Sequence, residues 1–193
     1  MQGNLFTPTE PLYPLEYVVE VVEDAATLKE LKYYVGTSEF GDYVVLLNKN
    51  SILELELTHD TSAYIDGIDK RYPEAKITQA KNWDLAKKLF VPAKYDTIPQ
   101  ININLYGTEF QIKVWNELLK IPFGQTISYD DIAVTLGDKN ASRAVGTAVG
   151  QNKIAYLVPC HRVVAKNGKL SNFRWGIERK KQLLSWEYSL TTL

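Results

Sequence analysis

The period of the apolar positions changes several times along this chain, and each change predicts an element. Leu15 to Glu23 alternates in part and is rich in β-branched residues, which predicts a strand. Asp42 to Leu47 and Ser51 to Thr58 flank Asn48-Lys49-Asn50, the pattern of a hairpin. From His59 to Tyr72 and from Thr78 to Phe90 the spacing turns helical, with Pro73 and Pro92 marking the ends. Residues 1–14 carry Pro8, Pro11 and Pro14 without any period and read as an extended arm. Pro99 to Leu105 reads as a strand again. Thr108-Glu109-Phe110-Gln111 is a capping box that opens a helix running toward Ile121-Pro122. Ser128-Tyr129-Asp130-Asp131 starts a second helix, which Gly137 stops. Asn140 is expected to cap a third, Ala141 to Val149, closed by Gly150. A last helix near the carboxy end carries Glu187.

The sum is an α/β protein in two units: an α/β unit over residues 1–95, including the arm, and a mostly helical unit over 96–193. The second and third helices of the latter, joined by a tight turn, form a helix-turn-helix. DNA binders share that motif with many proteins that bind nothing. The third helix is lean: Ala141, Ser142, Ala144, Gly146, Thr147, Ala148 and Gly150 are all small, and Arg143 is its one long side chain. Close packing in a core explains this, and so does close approach to a nucleic-acid backbone.

Composition agrees with a packed core, at 45% hydrophobic and 23% charged residues. No apolar run approaches the roughly 18 residues that cross a membrane. Met1 to Phe6 lacks the basic and apolar stretches of a secretory signal. The net charge of −1 hides an asymmetry. Residues 96–193 hold 12 Lys and Arg against 8 Asp and Glu, whereas 1–95 hold 10 against 15. The second unit is the one suited to a polyanion.

One cysteine stands in 193 residues, so no internal disulfide forms and no thiolate cage for a metal exists. A lone cysteine is either a small buried hydrophobe or a reactive thiol. Its setting, Pro159-Cys160-His161-Arg162-Val163, places an imidazole and a guanidinium beside it, both of which favour the nucleophilic thiolate. His59, the other histidine, reads as a surface or capping residue.

That run resembles the active-site signature of the O6-alkylguanine-DNA alkyltransferases. The resemblance extends from about Gly107 to Glu187, roughly two fifths of the chain, through Thr126-Ile127-Ser128-Tyr129, Ser142-Arg143-Ala144-Val145-Gly146 and Gln151-Asn152-Lys153. It continues through Asn172-Phe173-Arg174-Trp175-Gly176 and Leu183-Leu184-Ser185-Trp186-Glu187. It implies a ribonuclease-H-like amino-terminal sheet and a helix that enters the minor groove of DNA. It also implies a target base swung out of the duplex, because its reacting atom is unreachable in the stack. By resemblance Cys160 attacks the alkyl carbon, His161 takes its proton through a water, and Glu187 orients the imidazole. Asn152 braces the strand before the cysteine, and Tyr129 donates a proton to the leaving guanine. Arg143 fills the gap in the base stack, with Ala144, Gly146 and Lys166 also on the DNA face. Pro159, Val163, Arg174 and Trp175 would bound the lesion pocket.

Because adjacent side chains of an extended chain point apart, contact between Cys160 and His161 is expected to need that water or a bend at Pro159. An indole at Trp175 would narrow the pocket, favouring methyl over benzyl-sized groups; as a plain core aromatic it would not. A thioether product does not hydrolyse, and no second cysteine resolves it, so each molecule acts once. The implied partner is double-stranded DNA carrying O6-alkylguanine, or O4-alkylthymine. No cofactor, metal or membrane is implied, and the expected form is a monomer in the cytoplasm or nucleoid, or in the nucleus of a eukaryote. Asp130 and Asp138 sit awkwardly on a face meant for phosphate unless they cap helices. Two other readings remain open: a lesion-recognising DNA-binding protein without catalysis, and a cysteine hydrolase using Cys160 and His161.

Overall fold

A computed structural model describes residues 15–87, 89–90 and 100–191; the expected arm lies outside them, as do Pro92 and Pro99. The protein is a mixed α/β structure. Six strands form one sheet: β1 (Glu16–Val21), β2 (Glu30–Ser38), β3 (Gly41–Asn48), β4 (Ser51–Leu57), β5 (Lys76–Gln79) and β6 (Gln100–Leu105), in the order β1-β6-β4-β3-β2-β5. The expected hairpin is β3–β4, turning through Lys49 at φ +55°. β3 is buried along Tyr43-Val44-Val45-Leu46-Leu47, because both faces of the sheet are covered. On one face Leu46 and Leu53 pack with Leu28, Ile68 and Tyr72. On the other, Val45, Leu47, Ile52 and Leu55 join Val114, Leu118, Val145 and Leu183 of the second unit in one continuous core.

Several expectations change here. The helix expected over His59–Tyr72 is two short ones, α1 (Thr61–Asp66) and α2 (Ile68–Arg71), parted at Gly67 and started by the Asp60 carboxylate, which accepts from the Ala63 N–H at 2.9 Å. The helix expected over Thr78–Phe90 does not form. Lys76-Ile77-Thr78-Gln79 adds instead to β2 as a parallel edge strand, and a 3-10 turn follows at Asp84–Lys87. β2 itself had no sequence signal strong enough to assign. β6 begins beyond residue 95, yet its hydrogen bonds place it in the first unit's sheet, beside β1 and β4.

Four helices follow: α3 (Glu109–Leu119), α4 (Tyr129–Thr135), α5 (Ser142–Gly150) and α6 (Ile177–Thr191). Thr108 and Ser128 each close a capping box, with Gln111 and Asp131. Asn140 caps nothing. Its N–H is held by Asp138 at 2.9 Å, and Ala141 stands at the N-cap without a side-chain bond. Trp115 of α3 donates its indole N–H to Ala148 O of α5 at 2.9 Å. A short parallel pair, β7 (Ile127–Ser128) and β8 (Val163–Val164), ties the start of α4 to the segment after Cys160. The sheet reaches the segment before Cys160: Leu55 N donates to Lys153 O, and Ala155 N to Leu55 O, both at 2.9 Å. No helix among the described residues is long and apolar enough to cross a membrane.

Candidate active site

The backbone from Asn152 to Val164 is folded tightly. Leu157 N bonds back to Ala155 O at 2.6 Å across Tyr156, a non-glycine residue held at φ +63°. Cys160 N bonds back to Val158 O at 2.7 Å across Pro159 at φ −80°, ψ 60°, an inverse γ-turn. Cys160–Arg162 is then one turn of 3-10 helix. The extended geometry expected at Cys160 and His161 is therefore absent, and Pro159 supplies the bend. Asn152 organises the whole stretch. Its Nδ2 donates to Val158 O at 2.8 Å, Ile154 O at 3.1 Å and Cys160 Sγ at 3.1 Å, while its Oδ1 accepts from Ile154 N at 2.9 Å.

Cys160 is only 3% exposed, yet it lies on the wall of an open cavity of about 390 Å³ with Tyr129, Gly146, Ser171, Phe173 and Arg174. Burial pushes its thiol up to about 11, against the opposing pull of the Asn152 amide, Lys180 and Arg174. At neutral pH the resting sulfur is a thiol, and its activation needs a base.

That base is adjacent. His161 is fully buried, stacked 6.2 Å from the Tyr156 ring, and its Nε2 meets Glu187 Oε1 at 2.7 Å. Burial pushes the Glu187 carboxyl up, but His161 and Arg162 outweigh it and hold the group at about 2. An ionised carboxylate only accepts, so Nε2 carries the proton and Nδ1 presents a lone pair. Nδ1 has no hydrogen-bond partner among the described residues. Burial lowers the imidazole's own pKa, while Glu187 pulls it upward. Glu187 also accepts from Arg162 Nε and Nη2, at 3.0 and 2.9 Å, and from Gly124 N at 3.0 Å.

Two participants, Lys180 and Ser171, escaped the sequence reading, and a third, Arg162, was given the wrong partner by it. Arg162 turns away from the thiol and anchors Glu187, and its Nη1 donates to Ile121 O at 2.6 Å. Lys180 is fully buried and pairs with no carboxylate among the described residues; its Nζ donates to Val163 O at 2.6 Å and Ser171 Oγ at 3.1 Å. Burial pushes it down to about 8, with the Cys160 sulfur pulling the other way. Ser171 in turn meets the Tyr129 hydroxyl at 2.6 Å, fixing that phenol at the cavity. Lys180, Leu183 and Glu187 are three and seven residues apart on one helix face, and two charges on an otherwise apolar stripe were the available signal.

The remaining candidates scatter. Arg143 and Ala144 stand exposed on α5, and Gly146 lines the cavity. Lys166 is exposed and pairs with Asp130 at 3.3 Å. Pro159 and Val163 are buried behind Cys160 and do not line its cavity. Trp175 is corrected most clearly: it is 4% exposed and packs edge-on against Phe173, with ring centroids 5.2 Å apart, so Phe173 and Arg174 form the wall assigned to it. His59 lies at the surface, accepting from Arg179 at 3.0 Å.

Several known proteins are similar to this chain. The family described as 6-O-methylguanine DNA methyltransferase, DNA binding domain, matches residues 109–189. The methylated-DNA–protein-cysteine methyltransferase of Lodderomyces elongisporus is 56% identical over 84 residues, which are 43% of this chain and 42% of that protein. A probable methylated-DNA–protein-cysteine methyltransferase of Acanthamoeba polyphaga mimivirus is 42% identical over 113 residues, 58% of this chain and 75% of that protein. The solved structure of Mycobacterium tuberculosis OGT in complex with DNA aligns with a TM-score of 0.66 and 32% identity, covering 82% of this chain and 94% of the other. The chain spans 26% to 46% of the length of several curated relatives that it matches.

Proposed function

This chain belongs to the methylated-DNA–protein-cysteine methyltransferase family, and from that premise we propose that it repairs DNA by moving an alkyl group from O6 of guanine to Cys160, once per molecule. The observation that carries this reading is the placement of Cys160. Its sulfur borders a cavity, and the neighbouring imidazole offers a free Nδ1 while a buried carboxylate holds its Nε2.

The geometry supports one order of events. A water between Nδ1 of His161 and the sulfur passes the thiol proton to the imidazole, and Glu187 stabilises the imidazolium that forms. The thiolate attacks the alkyl carbon; the S–C bond forms as the C–O6 bond breaks, and the electron pair leaves on guanine. Tyr129, fixed by Ser171, donates a proton to the ring as that charge develops. Asn152 steadies the thiolate through its N–H.

We read α4 and α5 as a helix-turn-helix with α5 against the minor groove. Arg143 and Ala144 are exposed there, and Gly146 leads into the cavity. Duplex DNA is then the partner, its alkylated base swings into the cavity, and Arg143 takes its place in the stack. The antiparallel β2-β3-β4 meander continued by parallel β6 supports a ribonuclease-H-like description of the sheet.

Intact-protein mass after incubation with duplex DNA containing O6-methylguanine tests the reading. One methyl adduct per chain, localised to Cys160, is expected. Binding without a mass change would make the protein a lesion sensor instead.

A further inference from the structure

A second cavity, of about 500 Å³, adjoins the one beside Cys160. Arg174 borders both, and α5 ends between them, with Gly150 on the Cys160 cavity and Gln151 on the other. The second cavity carries Lys153. That residue's backbone is held on both sides. Its carbonyl accepts from Leu55 N of β4 at 2.9 Å, and Asn152 before it braces the turn that leads to Cys160. Its ammonium lies 4.8 Å from the centre of the Tyr106 ring, within cation–π range. It pairs with no carboxylate among the described residues. Burial lowers its pKa, and Glu54 pulls the other way, but that carboxylate is already paired with Arg71 at 3.0 Å. Glu23, the one carboxylate on the cavity wall, is exposed. A half-buried ammonium without a counter-ion of its own is a site for an anion.

We propose that Lys153, with Arg174 at the rim, binds one backbone phosphate of the lesion-bearing strand, within two nucleotides of the base that enters the Cys160 cavity. The proposal rests on the reading of duplex DNA as the partner. A base swung in past Gly146 and Gly150 leaves its own strand at the end of α5, where the Lys153 cavity begins. An ammonium meets phosphate as a point charge, and one pinned over a ring loses little freedom on binding. Arg174 meets Glu56 only at 3.5 Å, long for a charge-assisted hydrogen bond, and so is available as a second donor. Such a contact reads no base. It fixes the register of the strand and holds the extruded nucleotide against return to the stack.

Fluorescence anisotropy tests this on duplexes carrying O6-methylguanine, each with one phosphate near the lesion replaced by a neutral methylphosphonate. The full chain with Cys160→Ser keeps the measurement at equilibrium, since no transfer follows binding. At one or two positions on the lesion strand, neutralising the phosphate should weaken binding about fivefold or more in that chain, and less than about twofold once Lys153→Ala is added. Lys153→Arg should keep the penalty. Lys153→Ala should also lower the slope of log affinity against log salt by about one. Inactive protein lowers every apparent affinity alike, so the comparison between duplexes is independent of the folded fraction. A penalty that is the same with and without Lys153 at every position overturns the proposal, even where Lys153→Ala weakens all duplexes equally. So does a Lys153-dependent penalty confined to the opposite strand. Intact mass of the unaltered chain reads alkyl transfer separately. A methyl adduct without the phosphate coupling removes this site alone, whereas the coupling without an adduct leaves the site and removes the transfer reading.

Discussion

Among the described residues two carboxylates are buried, and they have opposite characters. Glu54, on β4, is 3% exposed and accepts from the Tyr64 hydroxyl, from the Tyr72 hydroxyl at 2.8 Å and from Arg71 at 3.0 Å. Glu187, on α6, is fully buried and accepts from His161, Arg162 and a backbone N–H. Each has an arginine to balance its charge. The difference lies in the third kind of partner. Burial and Glu54 together push the phenols of Tyr64 and Tyr72 far above their ordinary range, so no proton moves in that cluster near neutral pH. The imidazole beside Glu187, whose pKa burial lowers while Glu187 pulls it upward, is instead placed to take a proton, since its far nitrogen has no partner among the described residues and sits on the turn that carries a cavity-lining thiol. A satisfied buried charge is therefore no sign of chemistry by itself. It becomes one when a titratable partner hands the proton onward.

The strongest way to break this contrast is to remove what the proton transfer serves. Cys160→Ser should abolish adduct formation outright, since an alcohol near imidazole is a far weaker nucleophile toward an alkyl carbon. Intact mass after overnight incubation checks it, and a persisting adduct would show that another side chain accepts the group. Next comes a matched pair. Glu187→Gln should slow alkyl transfer about 100-fold or more, because the amide no longer fixes the tautomer or stabilises the imidazolium. Glu54→Gln should leave the rate within about threefold, as that cluster touches nothing in the cavity. Both substitutions should destabilise. Glu187→Gln leaves Arg162 buried and unpaired, at a cost of about 3–5 kcal/mol, whereas half-exposed Arg71 limits Glu54→Gln to about 1–3 kcal/mol. Rates normalised to the folded fraction separate the two effects. Equal slowing in both variants would dissolve the distinction.

Acid sharpens it further. The Glu187 carboxyl is held at about 2 in the fold, below its ordinary 4.5. A depressed carboxyl contributes stability that is present above the unfolded value and lost as pH falls through the folded one. That contribution is of order 3 kcal/mol, and it should drain away between about pH 4.5 and 2. Denaturant melts across this window should show a steep acid limb in the unaltered protein and a shallower one in Glu187→Gln. Parallel limbs would mean that Glu187 does not carry the charge assigned to it.

How much of this was legible in sequence follows the same division. Cys160, His161, Asn152, Tyr129 and Glu187 could be named because the alkyltransferase-like motifs are short and local. The side-chain directions were not legible. Arg162 looked like a neighbour of the thiol and instead points to α6, because one turn of 3-10 helix rotates it away from the cavity. Trp175 looked like a pocket wall and is core, because its direction is set by packing against Phe173. Lys180 went unnoticed because a lysine on a helix is ordinarily solvated; only tertiary burial makes it unusual. In the sheet, the hairpin announced itself through its turn. Lys76–Gln79 did not, since an edge strand takes its conformation from a partner, here β2, that the local sequence does not contain.

The smallest effect belongs to the exposed limit of the comparison. Asp130 pairs with Lys166 at 3.3 Å, and Ser142 and Lys166 together lower its carboxyl. Neither partner is buried, so water and salt screen the pair and its loss should leave the melting temperature where it was. On the face proposed to meet phosphate, however, Asp130 both repels DNA and occupies a lysine. Asp130→Asn removes the repulsion and frees the cation, so affinity for undamaged duplex should rise about two- to fivefold at low salt. The gain should shrink as salt is raised, because it is an ion-release effect. Fluorescence anisotropy at two salt concentrations reads this directly. If affinity is unchanged at both, Asp130 and Lys166 lie off the DNA path, and α5 would have to present itself to the groove from a different side.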